Sequence, residues 1–209
     1  MKYILVVVAL LIFTSCCALS QVDSSVSKTP EYFISGGMAI PSLPYPFKTV
    51  WKTGFDISGG YGYSFQPGSW GYGTVSGAIE YDQFPFDRDG FIRELNLNTN
   101  VPIDGGATIA ITVMATVKGT FAATKNVIAP YFLFGLGYMN VTSGEITWKG
   151  VTARPKESKS GFAYQLGAGL DIPTSERVTI FLEGKFFMGL TSSPGRQYFP
   201  IAIGARIKP

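Results

Sequence analysis

The chain has 209 residues, a formal net charge of +3 and no histidine, and its two cysteines, Cys16 and Cys17, are adjacent near the start. So weak a basic excess points to no nucleic-acid partner, and the missing histidine excludes Ser-His-Asp triads and histidine metal sites. With both cysteines near the start, no disulfide framework or thiolate metal site is expected in the rest of the chain.

The first twenty residues carry Lys2, an apolar run over 3–13 and the small-residue sequence Ala18-Leu19-Ser20. That is the pattern of an export signal peptide, and the run is too short to cross a bilayer as a helix. Cleavage is expected after Ser20. A second reading takes Phe13-Thr14-Ser15-Cys16 as a lipidation motif with Cys16 as the anchor. Residues 21–31 are polar and Ser-rich and read as a flexible lead-in, followed by one domain over 32–209.

From residue 32 on, apolar and polar residues alternate with period two, the pattern of a strand with two unlike faces. The first strand covers 32–40, with Tyr32, Ile34, Met38 and Ile40 on one face; the proline-rich 41–46 ends it. The second covers 51–65, where Phe55, Ile57, Tyr61, Tyr63 and Phe65 alternate with Asp56, Ser58, Gly60, Gly62 and Ser64. A short turn at 66–69 leads to a third strand over 71–83, in which Val75, Ile79 and Tyr81 oppose Thr74, Ser76, Ala78, Glu80 and Asp82. A long polar segment, 84–106, separates it from the fourth strand at 107–122. After a short turn with Lys125 and Asn126, the fifth strand covers 130–141, and a second long polar segment covers 142–159. Strands six and seven form one hairpin over 161–188, turning at Pro173-Thr174-Ser175-Glu176. After a loop at 191–196, the eighth strand covers 197–207.

Alternation alone fits a soluble sandwich, with the apolar face inside, and a membrane barrel, with that face in lipid. The connections decide between them. They run long, short, long, short, long, short and then medium, the rhythm of a bacterial barrel with long outer loops and short periplasmic turns. The expected fold is all-β: an eight-stranded antiparallel up-and-down transmembrane β-barrel in the outer membrane. Closure leaves no unpaired edge in lipid, and eight strands leave a lumen that side chains can fill.

Several segments carry a family likeness: YFISGG at 32–37, GGYGY at 59–63, PYFLFGLG at 130–137, YQLGAG at 164–169, EGKF at 183–186 and PIAIGAR at 200–206. The chain resembles the small outer-membrane barrels of the opacity-type and OmpA/OmpX-like group over nearly all of 32–209. The resemblance implies the fold and supplies no catalytic residue. It departs from the family at the end: Ile207-Lys208-Pro209 stands where such barrels have a terminal aromatic residue. The peptidoglycan-binding domain of the longer relatives is not expected.

Glu80, Lys118, Glu183, Lys185 and Arg206 all fall on the polar phase of their strands. They are expected to form a structural charge network in the lumen, with Glu80 reaching Lys118 and Glu183 reaching Arg206. Glu80 and Asp82, two apart on one strand and roughly 6.5–7 Å from each other, also read as a carboxylate pair for acid/base work, and the paired network is preferred. Trp51, Trp70 and Trp148 lie near strand ends or in loops, where membrane-interface belts and ordinary loop packing are equal readings. Asn140-Val141-Thr142 matches a glycosylation sequon and is taken as chance. The segment 142–159 is net basic, read as a solvated loop with contact to anionic lipopolysaccharide as the alternative.

The functional expectation is a monomeric barrel without cofactor, metal or enzymatic activity. Its partners would be outer-membrane lipid and lipopolysaccharide, with a structural or surface-adhesion role and an extracellular ligand met through loops 84–106 and 142–159. A narrow, porin-like pore or small-solute channel is the alternative.

Overall fold

The structure is a computed structural model, described here for residues 28–45, 47–68, 71–96, 102–121, 127–191 and 195–209. The proposed signal peptide, Cys16, most of the lead-in, Trp70, Lys125 and Asn126 lie outside the described residues. In chain order the elements are β1 (Thr29–Leu43), α1 (Phe47–Val50), β2 (Gly54–Gly68), β3 (Gly71–Phe84), α2 (Arg88–Glu94), β4 (Ile103–Gly105), β5 (Thr108–Thr120), β6 (Ala129–Ser143), β7 (Ile146–Trp148), β8 (Val151–Arg154), β9 (Glu157–Pro173), β10 (Val178–Gly189) and β11 (Arg196–Ile207).

Eight of these strands close a barrel in the order β1-β2-β3-β5-β6-β9-β10-β11, every neighbouring pair antiparallel, with β11 returning to β1. This is the up-and-down architecture expected from the alternation. The period-two pattern also fixes which face points where. In β9, Phe162, Leu166, Leu170 and Ile172 point outward and are exposed, while Ala163, Gln165 and Asp171 point inward and are buried. The ten residue steps from Phe162 to Ile172 run about 33 Å along the strand, and a tilt of roughly 40° leaves about 25 Å of height, the thickness of an outer-membrane apolar band.

That band ends where the outward positions turn polar. Asn140 donates to Ser160 (2.7 Å), and Thr142 and Ser158 are 3.2 Å apart on the outer surface of β6 and β9. Tyrosines and phenylalanines form clusters on the outer wall, including Tyr32–Tyr61 near one end and Phe186–Phe199 near the other. Trp51 takes no part in such a belt. It is buried, 3% exposed, in the barrel mouth against Phe47. Trp148 lies on β7, away from the barrel wall.

Three sequence expectations change. The lead-in expected over 21–31 is shorter, since β1 begins at Thr29 and Glu31 turns its carboxylate into the lumen and is buried. Segment 84–106 is not a plain loop, since it contains α2 and β4. Segment 142–159 contains the β7–β8 hairpin, and β6 and β9 stay paired out to Ser143–Glu157. The physical reason is common to both segments. β4, β7 and β8 form a three-stranded sheet, and Ile92, Ile103 and Ile146 pack with Phe86 and Phe91 into a small second core. The charged residues of these segments hid that scattered apolar set.

Candidate functional site

The lumen is built in layers, each supplied by inward positions of several strands. Nearest the short turns, Lys118 on β5 pairs with Asp171 on β9 at 3.0 Å, and Arg206 on β11 contacts the other oxygen of the same carboxylate. Arg206 also lies over the rings of Phe181 (4.0 Å) and Tyr131 (5.1 Å). Those rings fit because Gly204 and Gly169 face them, and a Cβ at either position would strike Phe181 or Tyr131.

In the next layer, Lys185 on β10 donates to Glu80 on β3 at 2.8 Å and lies 3.6 Å from Glu183. Glu183 accepts a bond from the Tyr131 hydroxyl at 2.7 Å and stands 3.9 Å from Arg206. Neutral contacts along the inner wall fill the same height: Ser35 with its β1–β2 register partner Ser58 at 2.7 Å, and Gln165 donating to Thr116 at 2.9 Å over Gly135 of the strand between them. Burying charges is tolerable only when they are paired and hydrogen-bonded, and Glu80 and Lys185 meet that condition.

The five expected network residues are thus all buried among the inward side chains, but the pairing differs from the expectation. Glu80 does not meet Lys118. In the β3–β5 register Glu80 stands opposite Thr112, and Lys118 stands opposite Thr74. Six residues along a strand is about 20 Å, far beyond the reach of two side chains. Glu80 instead reaches across the lumen to Lys185. Glu183 and Arg206 do approach each other, on the neighbouring strands β10 and β11. Asp171, which holds both Lys118 and Arg206, was absent from the expected set. Its inward phase on β9 was the available signal, masked by its position two residues before the turn.

Above this network lie Asp56, Asp82 and Tyr198, whose hydroxyl donates to Asp82 at 2.8 Å. Glu80 and Asp82 therefore have separate partners, Lys185 and Tyr198, and both are buried inside the barrel. Above them an aromatic stopper closes the barrel toward the long loops. Phe187 stacks on Tyr198 (5.1 Å), Phe84 meets Tyr198 edge-on (5.2 Å), and Phe47 from α1 meets Phe84 (5.2 Å). Two arginines hold the stopper from outside, Arg196 over Phe47 at 5.3 Å and Arg154 over Trp51 at 5.9 Å.

Below the stopper, an inner cavity of about 40 Å³ touches Glu80, Lys118, Glu183, Lys185 and Arg206. A cavity of about 70 Å³ at the short-turn end shares Glu31, Lys118 and Arg206 with it. Each holds only a few waters at roughly 10–15 Å³ apiece. Among the described residues no three histidine, cysteine, aspartate or glutamate side chains group as a metal site.

In the loop cap, Thr49 donates to Glu94 at 3.3 Å, tying α1 to α2. Glu94 also bonds Tyr45 and, with its charge, pushes that phenol upward. Lys159, 3.0 Å from Glu157, holds the Glu157 carboxyl below its usual range. These contacts fix the cap to the barrel and to itself.

A closed antiparallel barrel with an apolar outer wall, a charged and filled lumen and a loop cap at one end defines a transmembrane barrel of the outer-membrane class. The family model for the outer membrane protein beta-barrel domain matches residues 8–185, and the chain belongs to that family and to the outer membrane. Among solved structures the chain is similar to Neisserial surface protein A, at 10% identity and a TM-score of 0.49, with 88% of this chain and 99% of that one covered. It is similar to Ail, the attachment invasion locus protein of Yersinia pestis, at 15% identity and a TM-score of 0.47, covering 87% and 97%. The N-terminal barrel domain of Pseudomonas aeruginosa OprF aligns at 13% identity and a TM-score of 0.45, covering 87% and 100%. Among curated protein sequences no match is found.

Proposed function

We propose that the protein is a non-conducting, non-enzymatic monomeric barrel that presents its loop cap for surface attachment. The observation that carries this reading is the combination of stopper and cap. The lumen is blocked by Phe47, Phe84, Phe187 and Tyr198, and directly outside them segments 84–106 and 142–159 build a sheet, a helix and their own small core. Loops ordered before binding lose less entropy when they meet a partner. A pore has no use for a packed aromatic layer across its mouth. The charge network of Glu80, Lys118, Glu183, Lys185 and Arg206 then serves to hold the barrel together. The outer wall is solvated by lipid, and the basic side chains of 142–159 give the cap an affinity for anionic surface sugars such as lipopolysaccharide. Export depends on a signal peptide over 1–20, cleaved after Ser20.

Two measurements test this reading. In planar bilayers the purified protein should show no steady single-channel conductance. In nanodiscs it should bind lipopolysaccharide or host-surface components, and replacing 142–159 by a short Gly-Ser linker should abolish that binding. Steady conductance without any surface binding would establish the pore instead.

A further inference from the structure

Four methionines fall within the described residues: Met38, Met114, Met139 and Met188. Three of them have ordinary packing roles. Met114 and Met139 point inward and are buried, 1% and 0% exposed. Met38 points into the apolar wall, opposite Phe55 on β2 and Ile201 on β11, both outward and exposed. Met188 differs in position and in neighbours. It lies on the outer face of β10, one residue before that strand ends at Gly189, and is only partly buried. Its register partners are Tyr164 on β9 and Gln197 on β11, so three side chains form one row across three strands. Just below the row, Phe186 and Phe199 meet in the apolar wall at 5.1 Å. On β11 the outward position changes from Phe199 to Gln197 at this row, which places it at the outer rim of the apolar band.

Both partners aim a donor at the sulfur. The Tyr164 hydroxyl donates to Sδ at 2.7 Å and the Gln197 side-chain amide donates to it at 3.7 Å. A thioether is a weak acceptor, so two good donors gain little from it. A sulfoxide oxygen in the same place is strongly polar, and beside an apolar wall it needs such donors.

We propose that Met188 is a site of oxidation to methionine sulfoxide by small peroxides that reach the outer rim, with Tyr164 and Gln197 as the donors that hold the product oxygen. In the step, a sulfur lone pair attacks one oxygen of hydrogen peroxide. The S–O bond forms and the O–O bond breaks. The proton on the transferred oxygen passes to the departing one, which leaves as water. Sulfur loses two electrons and the peroxide gains them. Charge builds on the departing oxygen as the O–O bond breaks, and donors already at the sulfur are placed to stabilise it. The finished sulfoxide then takes both hydrogen bonds. The same change at Met38 would leave a polar oxygen between Phe55 and Ile201, while burial shields Met114 and Met139. Enzymatic reduction by a dithiol reverses the step, two thiols becoming a disulfide while the oxygen leaves as water. Met188 thus consumes peroxide at the cell surface while the barrel keeps its fold.

The test uses the full mature barrel in lipid nanodiscs, treated with hydrogen peroxide, quenched at intervals with free methionine and digested for mass spectrometry of each methionine peptide. Met188 should gain one oxygen severalfold faster than Met38, Met114 or Met139. Urea unfolding of the oxidised protein gives the second reading. The parent's folded-to-unfolded ratio should change little on oxidation. In the double variant Tyr164→Phe, Gln197→Leu it should fall about tenfold, the effect of a polar group left without partners. Met188 reacting no faster than Met38 overturns the proposal. So does an oxidised parent that loses as much stability as the oxidised double variant, since the donors then do not hold the oxygen. Should the double variant fail to fold, Tyr164→Phe alone keeps the ring and removes the closer donor. Met188 should then react severalfold more slowly relative to Met38, and an unchanged ratio of the two rates overturns the assignment.

Discussion

Lys185 is the side chain whose removal should harm the barrel most. It is 4% exposed, donates to Glu80 at 2.8 Å and lies 3.6 Å from Glu183. The two carboxylates fare differently without it. Glu183 keeps the Tyr131 hydroxyl at 2.7 Å and Arg206 at 3.9 Å. Glu80, 2% exposed, keeps no ion-pair partner. Lys185→Ala therefore strands one buried carboxylate, a change that costs about 3–5 kcal/mol, or two to four powers of ten in the folding equilibrium. Glu80→Gln should cost less, because Lys185 retains Glu183 and a glutamine can still accept its hydrogen bond. The double variant Lys185→Met, Glu80→Gln should recover most of the loss, since a buried pair replaced by neutral groups of similar volume is often close to neutral. The assay is urea unfolding of protein refolded into lipid vesicles, followed by the loss of the heat-modifiable folded band on gels. If each single change costs under about 1 kcal/mol, as for an exposed pair, and the double-mutant cycle shows no coupling, the lumen is wet and the argument from burial fails.

How much of this was legible beforehand differs between wall and interior. The wall repeats a rule that every residue obeys, so Phe162 to Ile172 in β9 and Ile109 to Val117 in β5 could be assigned a face from period two alone. The interior obeys a second rule that period two does not contain. Which inward charges meet depends on register and on reach across a closed lumen. Neighbouring strands suggested Glu80 with Lys118, whereas the shear of the barrel sets Glu80 across from Lys185 and hands Lys118 to Asp171. The cap was hidden for a different reason. Its core draws Ile92 and Ile103 from one segment and Ile146, more than forty residues further on, from the other, and neither segment alone shows an apolar period. Trp51 illustrates the same limit: its neighbours in sequence suggest a strand end, but α1 folds it back into the barrel mouth, where it bridges to Phe86.

Ile111, Leu182 and Ile201 point outward mid-strand at 46–48% exposure; arginine at any of them should cost roughly 2–4 kcal/mol in vesicles, and three variants that fold like the parent would show that this face does not meet lipid. Protease added to intact cells should cut within 84–106 or 142–159 and spare 174–176, and cleavage confined to the short turn would invert the topology. The stopper gives the last prediction. Phe47 is 4% exposed and caps Phe84, and Phe→Ala changes in packed cores cost about 3–5 kcal/mol. Phe47→Ala should therefore destabilise the barrel without opening it, because Phe84, Phe187 and Tyr198 form a second layer beneath. Thinning that layer as well, with Phe84→Ala and Tyr198→Ala, leaves Phe187 alone between the outer mouth and the lumen whose lower cavities share Lys118 and Arg206. Conductance in planar bilayers should then appear only in the triple variant, with small, noisy openings, since the ion pairs of Glu80 and Lys185 still cross the lumen. Equal conductance in the parent would mean that the aromatic layer does not seal the barrel.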